Sequence, residues 1–182
     1  MFLADCDIEF FRRVGHIDIS PWDDDLLQPA SYDLTLGPYW RFPGESEDNR
    51  HEMTREGFLL PPGEFLLFHT EQTVTLNART VEFVCGKSSR AREGFQIEAA
   101  GLVDPEFTGE LVLEVKNLLP DLNIGSYPDV YRMDNHLRVF PGMKIAQIAF
   151  AELRTNATRP YGHEGRNHYQ GQKGPVGSRD AS

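Results

Sequence analysis

From Tyr32 onward the sequence is cut into short runs of β-forming residues, each closed by Gly, Pro, Asn or Asp: SYDLTLG, GEFLLFH, QTVTLN, TVEFVCG, GELVLEV, LRVFPG and KIAQIAF. Branched and aromatic residues in such runs favour extended chain, and the breakers between them favour turns. Many short strands at that spacing predict a sandwich, barrel or jelly-roll-like domain. Alternating strand and helix units are absent, which disfavours a doubly wound sheet. One segment ahead of the strands has helical spacing. Ile8, Phe11 and Val14 recur near the 3.6-residue period, with Asp5 as the expected N-cap and Gly15 as the expected stop.

At 182 residues the chain has the length of one domain. Residues 43–57 and 119–136 are polar or rich in Pro, Gly, Asn and Asp, and are expected to be surface loops. No repeat and no low-complexity tract occurs. Residues 161–182 contain many glycines and almost no aliphatic side chains, so they cannot bury a core face of their own. The expected organisation is a β domain over 1–160 and a C-terminal tail over 161–182 that is mobile or orders on a ligand.

Eighteen Lys and Arg against 28 Asp and Glu leave a net charge of −10. A chain so acidic is not a general nucleic-acid coat, and any polyanion must be held by a local cluster of cations. The two cysteines, Cys6 and Cys85, form neither a CxxC nor a paired framework, which argues for a reducing compartment. No apolar run approaches the length of a membrane span, and the N-terminus lacks the pattern of a leader. A soluble, cytoplasmic protein is expected.

Three segments could carry chemistry. Gly86-Lys87-Ser88-Ser89-Arg90-Ala91-Arg92 follows an apolar run and puts Ser88 and Arg92 on one face of a helical turn. It reads either as a surface turn with solvated cations or as an anion site with charge-assisted bonds. It lacks the GxxxxGK[ST] pattern of a Walker loop. In Leu111-Val112-Leu113-Glu114-Val115, alternation puts Glu114 on the face with Val112 and Lys116. There Glu114 either meets solvent or, if the face is covered, becomes a carboxylate tuned for proton transfer. In the third, Asp104-Pro105 and Gly109 mark a tight connection. Asp104 either closes a local turn or meets a sugar hydroxyl or a water, with the Phe107 ring on an apolar sugar face. Tyr169, Gln172, Lys173 and Arg179 in the tail could fold over a polyphosphate or only solubilise the chain. His51 and His163 are each followed directly by Glu, so neither pattern is H-x-E, and no CxxC is present, so the zinc base-deaminase signature is missing. G-x-S-x-G and H-E-x-x-H are missing too.

Taken together, QPASYDLTLG, GKSSRAR, AAGLVDPEFTGELVLEVKN, PGMKIAQ and YQGQKGPVGSR resemble, in order and over most of the chain, the trimeric dUTPase and dCTP deaminase superfamily. The opening LADCDIEFFRRVGHIDISPWDDDLLQPASYDL resembles the N-terminal helix and following strand of dCTP deaminases. Members that only cleave dUTP carry an apolar residue where this chain has Glu114 in LVLEV. The resemblance implies a distorted jelly-roll, dUTPase-like fold with short helices, in a homotrimer whose sites lie between chains. It further implies zinc-free deamination at cytosine C4. Glu114 would take a proton from a water near Ser88 and pass it to the ring and the departing ammonia, with Arg92 orienting the carboxylate.

Ala100-Gly101, Phe107 and the tail YQGQKGP are similar to members that convert dCTP directly to dUMP. On that likeness Asp104 would contact the deoxyribose 3′-hydroxyl or the water for phosphate attack. Magnesium would bridge the phosphates of the nucleotide. Lys87, Ser89, Gln147, Tyr169, Gln172, Lys173 and Arg179 would join in binding dCTP or dUTP, with dTTP as a feedback ligand. The chain departs from the family at Glu98-Ala99, where a His and a Thr usually precede the Ala, which bears on base choice, 5-modified dCTP included, and on dTTP inhibition. Rival readings are a deaminase stopping at dUTP, a dUTPase without cytosine activity, and a silent nucleotide-binding regulator.

Overall fold

The computed structural model describes residues 1–46, 48–98, 101–121, 135–165 and 167–179. Helix α1 (Asp5–Arg13) is followed by β1 (Ile17–Ser20), β2 (Leu27–Gln28), β3 (Ser31–Arg41) and β4 (His51–Glu52). Next come β5 (Phe58–Leu60), β6 (Phe65–Leu76), β7 (Thr80–Gly86) and a short helix α2 (Ser88–Glu93). Strands β8 (Phe95–Glu98), β9 (Leu102–Val103), β10 (Thr108–Asn117), β11 (Leu137–Val139) and β12 (Lys144–Glu152) complete the order. The fold is the mainly β one expected, with some local differences. Asp5 is the first helical residue rather than the cap: Ala4 caps α1, and its N–H donates to the Asp7 carboxylate at 3.2 Å. GEFLLFH and QTVTLN form the single strand β6, because the polar residues at their junction are satisfied inside the sheet. Thr70 Oγ1 donates to Gln72 O and accepts from Leu111 N–H, while the Gln72 side chain bonds Thr35.

The strands pair antiparallel in the order β8-β10-β6-β3-β12-β7-β9, with β1 on β6 and both β2 and β4 on β3, while β5 and β11 form a separate pair. Register shifts interrupt β3–β6, β6–β10 and β3–β12. Such bulges bend a strand and increase its twist, and the sheet curls around a core that includes Tyr32, Leu34, Phe68, Leu113, Ile148 and Phe150. Residues 43–57, expected as a loop, contain β4, which pairs with β3 and stacks His51 on Trp40 at 4.3 Å. Most of 119–136 lies outside the described residues.

Strand β3 is buried on both faces from Tyr32 to Gly37, which places the carboxylate Asp33 inside at 2% exposure. A buried charge needs a partner, and Lys87, just ahead of α2, supplies it in a direct ion pair. Glu82 on β7 is different. It is fully buried, stands opposite Val103 on β9 and Phe150 on β12, and neither carboxyl oxygen has a hydrogen-bond partner among the described residues. Burial alone pushes its carboxyl up to about 8.

Candidate active site

Strand β10 alternates strictly between half-exposed and buried residues, so Glu110, Val112, Glu114 and Lys116 share the face away from the core. That face is covered, so Glu114 does not simply meet solvent. Glu114 pairs with Leu67 on β6, and Leu67 in turn with Arg41 on β3, so the three side chains lie in one cross-strand row. Glu114, Leu67, Val112, Gly101, Asp104 and Phe107 line a cavity of about 530 Å³, a volume in the range of small-molecule sites.

The connection from β9 to β10 builds one wall. Phe107 N–H donates to Asp104 O at 3.2 Å, a turn that leaves Asp104 exposed at the rim and buries the Phe107 ring against Tyr161, centroids 5.6 Å apart. Glu106 in this turn has φ +67°, a conformation costly for a residue with a Cβ. Bonds to its backbone groups hold it: Glu106 N–H donates to Asn77 O, and the Gln170 side-chain Nε2 donates to Glu106 O.

The tail builds the opposite wall and adds a short strand-like edge to β10. Gly171 N–H donates to Thr108 O at 2.7 Å, Glu110 N–H to Gln172 O at 3.1 Å, and Gln172 Nε2 to Glu110 O at 2.7 Å. Gly109 makes this approach possible, because a Cβ there would lie 2.9 Å from Phe107 Cζ and 3.2 Å from Gln172 N. Tyr169, Gln172, Val176 and Gly177 reach the cavity. Gln172 Oε1 is buried without a hydrogen-bond donor among the described residues, so the cavity carries an acceptor ready for a ligand N–H or O–H. Arg41, 3% exposed, lies against Gly177, and its Nε has no acceptor among the described residues. Arg179 N–H donates to the Tyr169 hydroxyl at 3.2 Å, and its guanidinium stands 5.8 Å from the Tyr169 ring.

The residues singled out in the sequence therefore fall into two groups. Gly101, Asp104, Phe107, Glu114, Tyr169 and Gln172 line one cavity, with Arg179 bonded to Tyr169 behind it. Lys87, Ser88, Ser89 and Arg92 are not among its lining residues. Ser88, Ser89 and Arg92 are exposed, and Lys87 holds Asp33. Gln147 on β12 stands opposite Asp33 on β3 and Cys85 on β7, beside this turn rather than in the cavity. Lys173 is exposed, and Ala100 lies outside the described residues. Sequence reasoning missed Arg41, Leu67, Val84 and Tyr161. Leu67, Val84 and Tyr161 are apolar or aromatic wall residues, and Arg41 is a lone arginine that pairs with Leu67 across the sheet, so only the tertiary fold brings them to the site.

Glu110 and His69 were also missed. Glu110 Oε2 lies 2.7 Å from His69 Nδ1 and accepts Gly174 N–H at 2.6 Å. Burial raises the Glu110 carboxyl, but these two donors outweigh it and hold it below the usual carboxylate value.

A family profile described as dCTP deaminase-like matches residues 2–126. The chain belongs to that family. A protein of Bifidobacterium longum named dCTP deaminase, dUMP-forming, is 35% identical over 195 residues, covering 98% of this chain and 94% of the relative. A protein of the same name from Beutenbergia cavernae is 36% identical over 196 residues, at the same coverage. Among solved structures, the deoxycytidine triphosphate deaminase of Agrobacterium tumefaciens superposes with TM-score 0.60 at 22% identity, over 82% of this chain. The chain spans about half of that protein, 47% of its length. A dUTPase from phage phi11 of S. aureus, in which a structural Mg(II) ion is coordinated, gives TM-score 0.51 at 17% identity, over 78% of this chain and 93% of the phage protein. These two likenesses show the shared dUTPase-like fold. The sequence relatives place this dCTP deaminase-like chain beside the dUMP-forming members.

Proposed function

We propose that this chain deaminates dCTP and releases pyrophosphate to give dUMP, in sites completed between the subunits of a homotrimer. The observation that carries this reading is the division of the site: one subunit's cavity holds the carboxylate Glu114, the ring Phe107 and the free acceptor of Gln172, while the Lys87–Arg92 turn lies outside it. A second copy would bring its own Ser88 and Arg92 to Glu114. Symmetric closed assembly is the usual way a surface turn of one chain serves its neighbour's cavity. An exposed apolar patch beside the cavity offers the contact. Phe2 and Phe83 pack with ring centroids 5.6 Å apart, and Leu102 stands opposite Phe83 and lines the cavity, at 60%, 37% and 51% exposure.

In this reading the pyrimidine lies at Glu114 and the deoxyribose on Phe107, where the ring crowds out a 2′-hydroxyl. Glu114 takes a proton from the attacking water and delivers it to the ring and the leaving ammonia, so that dCTP and water give dUTP and ammonia. Ser88 and Arg92 of the neighbouring copy hold the water and the carboxylate. A second water then cleaves between the α- and β-phosphates, with Asp104 at the rim to orient it, and dUMP and pyrophosphate leave. Residues 161–182 act as the lid, with Tyr169, Gln172, Lys173 and Arg179 over the nucleotide.

Among the described residues no group of three or more His, Cys, Asp or Glu converges as a metal site. The lone rim carboxylate Asp104 fits a Mg²⁺ that arrives on the triphosphate and keeps most of its own waters. That ion supplies charge neutralisation at the phosphates. Cys6 and Cys85 are both free and exposed, which suits a reducing cytoplasm.

The test is to incubate the protein with dCTP and with dUTP in Mg²⁺ and to score ammonia and pyrophosphate separately. Both products from dCTP in equal amounts support the proposal. Ammonia alone makes the chain a deaminase that stops at dUTP, and pyrophosphate from dUTP alone makes it a dUTPase.

A further inference from the structure

We propose that His69 and Glu110 form a latch that fixes the C-terminal tail over the cavity and so serve as positioning residues for the nucleotide site, an inference that rests on the reading above. Glu110 Oε2 is the shared contact: His69 Nδ1 lies 2.7 Å away on one side and Gly174 N donates from the other at 2.6 Å. The histidine tautomer follows from its second nitrogen. His69 Nε2 accepts the Tyr39 N–H at 3.2 Å, so it carries no proton, and the neutral ring's hydrogen is on Nδ1, the nitrogen packed beside the carboxylate without an aligned hydrogen bond to it.

The ring has no freedom to turn away. His69 is 4% exposed, Tyr39 stacks on it with centroids 5.8 Å apart, and a Cβ at Gly37 would lie 2.1 Å from His69 Cε1. Glu110 thereby packs against a fixed, buried ring nitrogen and presents its oxygen to the tail. Gly174 and Pro175 are buried at that point, and the next residues, Val176 to Ser178, line the cavity. Upstream, Gly171 and Gln172 are held by backbone bonds to β10 that do not involve either latch side chain. The latch therefore governs the stretch after Lys173 and leaves the rest of the tail anchored.

Glu110→Ala removes the acceptor. Loss of a charge-assisted hydrogen bond should speed trypsin cleavage after Lys173 about tenfold or more, because cleavage follows the population of the open tail. The peptide beginning at Gly174 reports the cut in nucleotide-free protein. The KM for dCTP should rise by a similar factor with kcat changed much less, since a positioned lid contributes binding. Glu110→Gln keeps one oxygen able to accept the Gly174 N–H and should recover most of both effects. In the native protein the Gly174 amide should exchange with deuterium slowly, a measurement that holds even if a variant fails to fold.

Native cleavage rate and native KM in Glu110→Ala, or a fast-exchanging Gly174 amide in the native protein, overturn the latch. Faster cleavage with an unchanged KM overturns the positioning role alone. If the native protein turns over no dCTP while Glu110→Ala loosens the tail, the latch stands and the dCTP reading falls.

Discussion

Glu114 on β10 stands directly opposite Leu67 on β6, and both side chains line the same cavity. A carboxylate beside an aliphatic neighbour in a half-covered cleft can meet a substrate water without being dissolved in bulk solvent. Glu114→Gln keeps the shape and removes the titrating group. Ammonia release from dCTP should fall by about 10² to 10⁴, while calorimetric dCTP affinity stays within severalfold. Deamination at the native rate would take Glu114 out of its role.

The placement of Ser88 and Arg92 outside the cavity that holds Glu114 makes a complementation test quantitative. On the proposed reading, Ser88→Ala and Glu114→Gln should each inactivate every site in their own trimers. Co-refolded at equal amounts, random assembly pairs an intact cavity with an intact neighbouring turn at roughly one site in four. About a quarter of native deaminase activity should return, and none should return if each site is built within a single chain.

Lys87 and Asp33 are joined across the fold, and Asp33 is the buried member. Lys87→Met strands that carboxylate inside the sheet, a change that typically costs about 3 kcal/mol. Arg92→Ala, on an exposed side chain, should cost less than about 0.5 kcal/mol. Denaturant unfolding at one protomer concentration compares them. Equal losses would mean that Lys87 is held for ligand binding alone.

Glu82 makes the fold sensitive to alkali. In the unfolded chain its carboxyl loses its proton near its ordinary value of 4.5, whereas in the fold it keeps the proton up to about 8. Between those values the unfolded state binds fewer protons, so stability falls as pH rises and levels off above the upper one. The loss by pH 7 is on the order of 3 kcal/mol. Glu82→Gln cannot ionise and should flatten the profile, matching the native protein near pH 5 and exceeding it at pH 8. Parallel pH profiles for the two proteins would show that Glu82 is ionised inside the fold.

The sequence was enough to determine the strand-rich architecture, the N-terminal helix and the side of β10 that Glu114 occupies, because short alternating runs and turn-forming breakers act locally. It was also enough for the motifs that resemble the deaminase family. The fusion of two runs into β6 was not legible, since Thr70 and Gln72 look like a break until Leu111 and Thr35 satisfy them. Nor was the row from Arg41 through Leu67 to Glu114, because three residues distant in sequence meet only through strand register. Asp33 with Lys87, Glu82 in an apolar slot, and His69 aiming Glu110 at Gly174 are likewise products of the closed sheet. Burial makes a polar side chain's partner its dominant energy, and which partner stands within reach is decided by long-range packing that no local pattern encodes.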